Sequence, residues 1–177
     1  MKITIRVMAL IFLTAVILLF IYPLCHEAGH LITASLIGAE ILDLGLFPTA
    51  HVDLAMPDSS EITIMLIAMS GGTAPLILLM IPLYCNIYII YYSKLTIALQ
   101  SAVAGLTSMT YVLAGFRDRS SGFDDALKVA ATYPNLKTAV VIILAVQILI
   151  ALYYIICTHP LSRTVNYLKK TEKKPTV

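Results

Sequence analysis

Apolar residues gather in four long runs along this chain, and polar residues fall mainly in the gaps between them. The runs cover about residues 3–37, 62–92, 95–115 and 138–158. Runs this long and nearly free of charge read as membrane-crossing helices, since about 20 apolar residues span a hydrocarbon core of ~30 Å. As a straight helix the first run would reach about 50 Å, so it is expected to be tilted, kinked or broken. Pro23 supplies the break, because proline removes a backbone donor and crowds the preceding turn. The second run is also too long for one straight span. Gly71, Gly72 and Pro75 mark a break or kink inside it, and small residues there let another helix approach closely.

The gaps differ in kind. Residues 38–61 contain Gly45, Pro48 and Pro57, and Ile41, Leu42, Leu44, Leu46 and Phe47 favour short extended segments over a helix. The reading is a small hairpin or re-entrant loop, whose backbone at membrane depth must pack on protein or line a wet cavity. Residues 116–128, FRDRSSGFDDALK, are polar and lead into a short helical pattern, ALKVAA. The expected fold is an all-α integral membrane protein with about four transmembrane helices, some spans kinked or broken, and a short hairpin or re-entrant segment after the first. Residues 1–177 form a single membrane-embedded domain, with a polar, basic tail over 158–177.

Composition agrees. Hydrophobic residues make up 59% of the 177 positions and charged residues 12%, where a soluble domain carries about a quarter charged. The net charge of +2 matters less than its distribution. Lys2 and Arg6 open the chain, and Lys169, Lys170, Lys173 and Lys174 crowd its end. Basic flanks mark the cytoplasmic side, and an even number of spans puts both termini there. Lys94 then also lies inside, whereas Arg117, Arg119, Lys128 and Lys137 lie outside, against the bias. The lipid bilayer is the expected surrounding, the cell membrane the expected location, and no nucleic-acid partner is expected. The first run continues to residue 37 without a cleavage pattern before His26, so it reads as a retained span rather than a signal peptide. Cys25, Cys85 and Cys157 form no CxxC pair and read as buried free thiols.

The chemistry sits in HEAGH, residues 26–30, an HExxH motif. Residues i and i+4 share one helix face about 6 Å apart, so His26 and His30 can reach one metal ion. Glu27, one step along, addresses a water activated by that ion and takes its proton as the water attacks a peptide carbonyl. Ala28 and Gly29 are small and leave room for another helix or a substrate backbone. Ionisable groups inside a span cost about 2.5 kcal/mol or more at its centre, and a bound metal compensates that cost. A catalytic zinc takes three protein ligands and a water. The third ligand is open among Asp43, His51, Asp53, Asp58, Glu61, Asp118, Asp124, Asp125 and His159 on these grounds. Asp124 and Asp125 also suit a helix N-terminus, where an acid caps the chain and meets the dipole.

HEAGH inside an apolar run resembles the site-2 protease family of intramembrane zinc metalloproteases, most closely its small members without a PDZ domain. The segment Ser70, Gly71, Gly72 and Pro75 is similar to the small-residue signature that follows the motif's span in that group. The LDG-type motif of larger members is absent, and Asp125-Ala126 looks like the D-D-A context of small ones. The resemblance covers about residues 3–131. It implies Zn2+ held by His26, His30 and Asp125, with Asp124 the alternate, Glu27 as catalytic general base, and Ser70, Gly71 and Gly72 near the substrate's approach. The implied substrate is a membrane protein or peptide, unwound near the ion. Two other readings stand beside this one. One is a non-catalytic zinc-binding membrane protein of the same fold, although Glu27 is needed only for catalysis. The other is a metal transporter, which fits glycine-broken spans but not a short chain without repeats.

The charge distribution yields a testable topology. Reporter fusions at residue 2 and near Lys173 are expected to locate both ends in the cytoplasm, and opposite locations would mean an odd number of crossings.

Overall fold

The computed structural model describes residues 2–45, 50–55, 60–81, 88–115, 125–158, 162–163 and 165–166. Among the described residues, four helices are long and apolar enough to cross a membrane, namely Thr4–Ile37, Glu61–Met80, Tyr88–Ala114 and Pro134–Cys157. Their outward residues are large and apolar, among them Leu19, Phe20, Leu36, Met80, Tyr153 and Ile156. Such a surface suits lipid, where helices associate by close packing and polar contacts rather than by hiding from water.

The first span is helical throughout. It comprises α1 (Lys2–Val16), a wider π turn (Ile17–Ile21) and α2 (Tyr22–Ile37). The irregularity precedes Pro23 instead of falling on it. Proline has no N–H for the carbonyl of Leu19 and its ring crowds that turn; a π turn, in which the Tyr22 N–H donates to the Ile17 carbonyl, takes up the misfit within the helix. Gly38, at φ 82°, ends α2 in the left-handed conformation that glycine adopts without strain.

Two antiparallel strands follow, β1 (Glu40–Gly45) and β2 (His51–Ala55), resting against α2. Ile41 pairs with Leu54 and Asp43 with Asp53, so Leu42 is an extra, bulged residue. Pro48 and Pro57 lie outside the described residues.

Ser60 begins α3 (Glu61–Met80) by accepting the Thr63 N–H at 3.3 Å. The helix runs unbroken through Gly71, Gly72 and Pro75, where a break or kink was expected, and ends at Met80. Neighbours explain both facts. Gly71 and Pro75 are buried between helices, so packing holds the chain helical there. At the far end Lys94, from α4 (Tyr88–Ala114), donates to the carbonyls of Leu79, at 3.2 Å, and Ile81, satisfying acceptors that a helix end exposes. Next come α5 (Asp125–Thr132), a 3-10 turn (Pro134–Leu136) and α6 (Lys137–Cys157).

The interior divides into two apolar clusters. Met65 and Met69 of α3 meet Val112, Leu127, Val129, Val140 and Leu144 in one. Leu76 and Leu79 of α3 meet Ile17, Tyr22, Ile97 and Ala151 in the other. Residues 70–75 of α3 lie between the two. There α2 crosses α3 so closely that a Cβ on Gly29 would sit 2.8 Å from the Ala74 Cβ and nearer still to the Ser70 carbonyl oxygen. Cys25 is half-buried and Cys157 exposed, both free; the expectation of buried thiols fails for Cys157, whose side of α6 faces outward with Tyr153 and Ile156. Cys85 lies outside the described residues.

Gly29→Ala is therefore expected to force α2 away from α3 and cost about 1–3 kcal/mol, as overpacking does. Thermal unfolding in detergent reads this as a lowered midpoint, while Ile32→Ala, at an exposed position on the same helix, leaves the midpoint nearly unchanged.

Candidate metal centre

Helical spacing places His26 and His30 on one face of α2, with their Nε2 atoms 3.1 Å apart and their rings edge to face at 80°. His30 is buried. Its Nδ1 lies 2.7 Å from the carbonyl oxygen of Ile67 on α3. A carbonyl only accepts, so Nδ1 carries a proton and Nε2 faces the site. Ser70 Oγ donates to the same carbonyl at 2.6 Å. Gly71 completes this wall. A Cβ there would lie 2.7 Å from His26 Nε2 and would also collide with His30 Nε2, so both imidazoles depend on its absence.

The third group comes from α5. Asp125 Oδ2 lies 3.1 Å from His30 Nε2 and 3.6 Å from His26 Nε2. In a tetrahedron with zinc-type bonds of 2.0–2.1 Å, donors stand about 3.3–3.4 Å apart. The three observed edges, 3.1, 3.1 and 3.6 Å, bracket that spacing, so one carboxylate and two imidazoles fit three corners of such a site. Asp125 Oδ1 faces Lys128 Nζ at 3.5 Å. Burial raises the Asp125 pKa, but the His26 and His30 contacts and the Lys128 charge outweigh it and hold the carboxyl well below the usual carboxylate range. Asp125 is thus an anion at neutral pH.

Glu27 supplies a competing donor set. One ligand atom from each of His26, Glu27 and His30 falls within a 4.8 Å span. The set with Asp125 is tighter and has the spacing of shared coordination.

Among the described residues, the other acids and histidines considered from sequence are engaged elsewhere or face outward. Asp43 Oδ2 and His51 Nε2 pair across the strands at 3.4 Å, Asp53 is exposed, and Glu61 accepts from Asn135 Nδ2 at 2.6 Å. Asp58, Asp118, Asp124 and His159 lie outside the described residues. The small-residue segment is occupied by helix contacts, with Ser70 opposite Gly29, Gly71 on the imidazoles and Gly72 beside Gln147. Two participants escaped the sequence reading. The Ile67 carbonyl has no side-chain signature at all. Gln147 had one, as a lone amide in an apolar span. Comparison with protein-family models, curated proteins and solved structures gives no match.

Metal analysis of the purified protein tests this geometry. One zinc per chain is expected, and the double substitution His26→Ala with His30→Ala removes it. Asp125→Asn weakens zinc by more than about 100-fold, beyond the 10–100-fold that loss of an outer partner costs. Asp43→Asn and Asp53→Asn leave it bound. Emptying of the site by either of these, with Asp125→Asn inert, assigns the ligand elsewhere.

Proposed function

We propose that the chain is an intramembrane zinc metalloprotease, cleaving a peptide bond in or near a membrane-spanning substrate. The supporting observation is the convergence of His26, His30 and Asp125 to coordination spacing between apolar helices, with the Glu27 carboxylate alongside. The resemblance of HEAGH and of residues 70–75 to the site-2 protease family points the same way.

In this reading His26, His30 and Asp125 would hold the ion. Zinc there supplies Lewis acidity, lowering the pKa of water to near 7. Glu27 accepts the proton that water gives up as its oxygen bonds to the scissile carbonyl carbon. The same carboxyl returns that proton to the amide nitrogen as the C–N bond breaks, leaving a new carboxyl and a new amine. The Ile67 carbonyl keeps His30 in the tautomer that this arrangement needs. The protein is then a multi-pass protein of the cell membrane with both termini in the cytoplasm. A carboxylate next to the first ligand favours catalysis over mere metal retention, for which Glu27 has no use.

Glu27→Gln separates these alternatives, since an amide cannot take up the proton at neutral pH. The variant is expected to keep its zinc and its unfolding midpoint while cleavage of a single-span reporter peptide in proteoliposomes falls by about 10²–10⁴-fold. Unchanged cleavage would remove Glu27 from the mechanism.

A further inference from the structure

Between Thr138 and Tyr153, α6 has a single polar side chain, Gln147, and it is buried. An amide among apolar side chains costs free energy unless its groups are paired. Gln147 Nε2 donates to the Met69 carbonyl at 3.2 Å and to Thr73 Oγ1 at 2.9 Å. Thr73 passes its own hydroxyl proton to the Met69 carbonyl at 3.0 Å. Both partners therefore present lone pairs, which sets the amide with its nitrogen toward α3. Gly72 makes the approach feasible, for a Cβ there would come 3.0 Å from Gln147 Oε1.

The turn that Gln147 grips is the one that builds the metal centre. Ile67, whose carbonyl orients His30, and Ser70 and Gly71, which seat α2, flank or interleave with Met69 and Thr73. The same turn is internally weak. Pro75 has no N–H to return to the Gly71 carbonyl, and Gly71 and Gly72 add backbone freedom. The helix is softest where the histidines lean on it, and Gln147 holds it from another side.

We propose that Gln147 is a positioning residue for the metal centre, fixing through Met69 and Thr73 the α3 turn that orients His30 and backs both imidazoles. The inference rests on the zinc reading above, and its test separates the two. In the metal-free protein in detergent, the 15N-histidine NMR signal of the His30 Nδ1–H is expected to shift and exchange faster with solvent in Gln147→Leu. With metal, zinc affinity is expected to fall by about tenfold, the low end for an outer partner, and the visible spectrum of the cobalt-substituted protein to change. Ile148→Val loosens α6 against α4 at Gly105 instead and is expected to lower the thermal midpoint without moving these signals. Should Gln147→Leu fail to fold, Thr73→Val, which removes one of the two bonds, is read the same way. A variant that loses thermal stability but keeps the histidine signal, the cobalt spectrum and the zinc affinity would overturn the inference, leaving Gln147 as a joint between helices. Wild-type protein that takes up neither zinc nor cobalt would overturn the protease reading, and the metal-free signal alone then decides whether Gln147 positions His30.

Discussion

The close crossing of α2 and α3 is the contact on which the rest of the site depends. Helices approach only as closely as the side chains between them allow, and small residues permit the closest contact. Gly29 brings the two backbones together, and Gly71 removes the one atom that would push the rings away. Across this contact His30 Nδ1 meets the Ile67 carbonyl. The histidines are thereby held from both ends, by their own helix and by its neighbour.

Polar groups in these helices are placed by the same economy. Where apolar surroundings offer no water, each donor needs a fixed acceptor, and the carbonyls of α3 and its C-terminal end provide several of them. His30 and Ser70 use Ile67, Gln147 and Thr73 use Met69, and Lys94 uses Leu79 and Ile81. The central helix is thus a rail of acceptors as well as a packing surface.

Charge completes the picture. In the proposed reading, two imidazoles and one carboxylate would leave a bound dication with one net positive charge. Asp125 brings that carboxylate from outside the four long helices, on α5, whose apolar side sits in the cluster with Met65, Met69 and Leu144. Asp125 is therefore anchored by hydrophobic packing while its oxygens turn to the histidines and Lys128.

The sequence by itself determined the four apolar runs and the pairing of His26 with His30, because span length and helical period are local properties. It also marked the short helix at Asp125 and the small residues at Gly29, Gly71 and Gly72, without saying what they touch. It misplaced the division of the second run, since glycine and proline weaken a helix locally but burial between neighbours restores it. Nor did spacing along the chain single out Asp125 among the acids, and the Ile67 carbonyl carries no residue signature. Those choices belong to the tertiary structure, because they depend on which helix faces which, and that is settled by close packing between segments far apart in the chain.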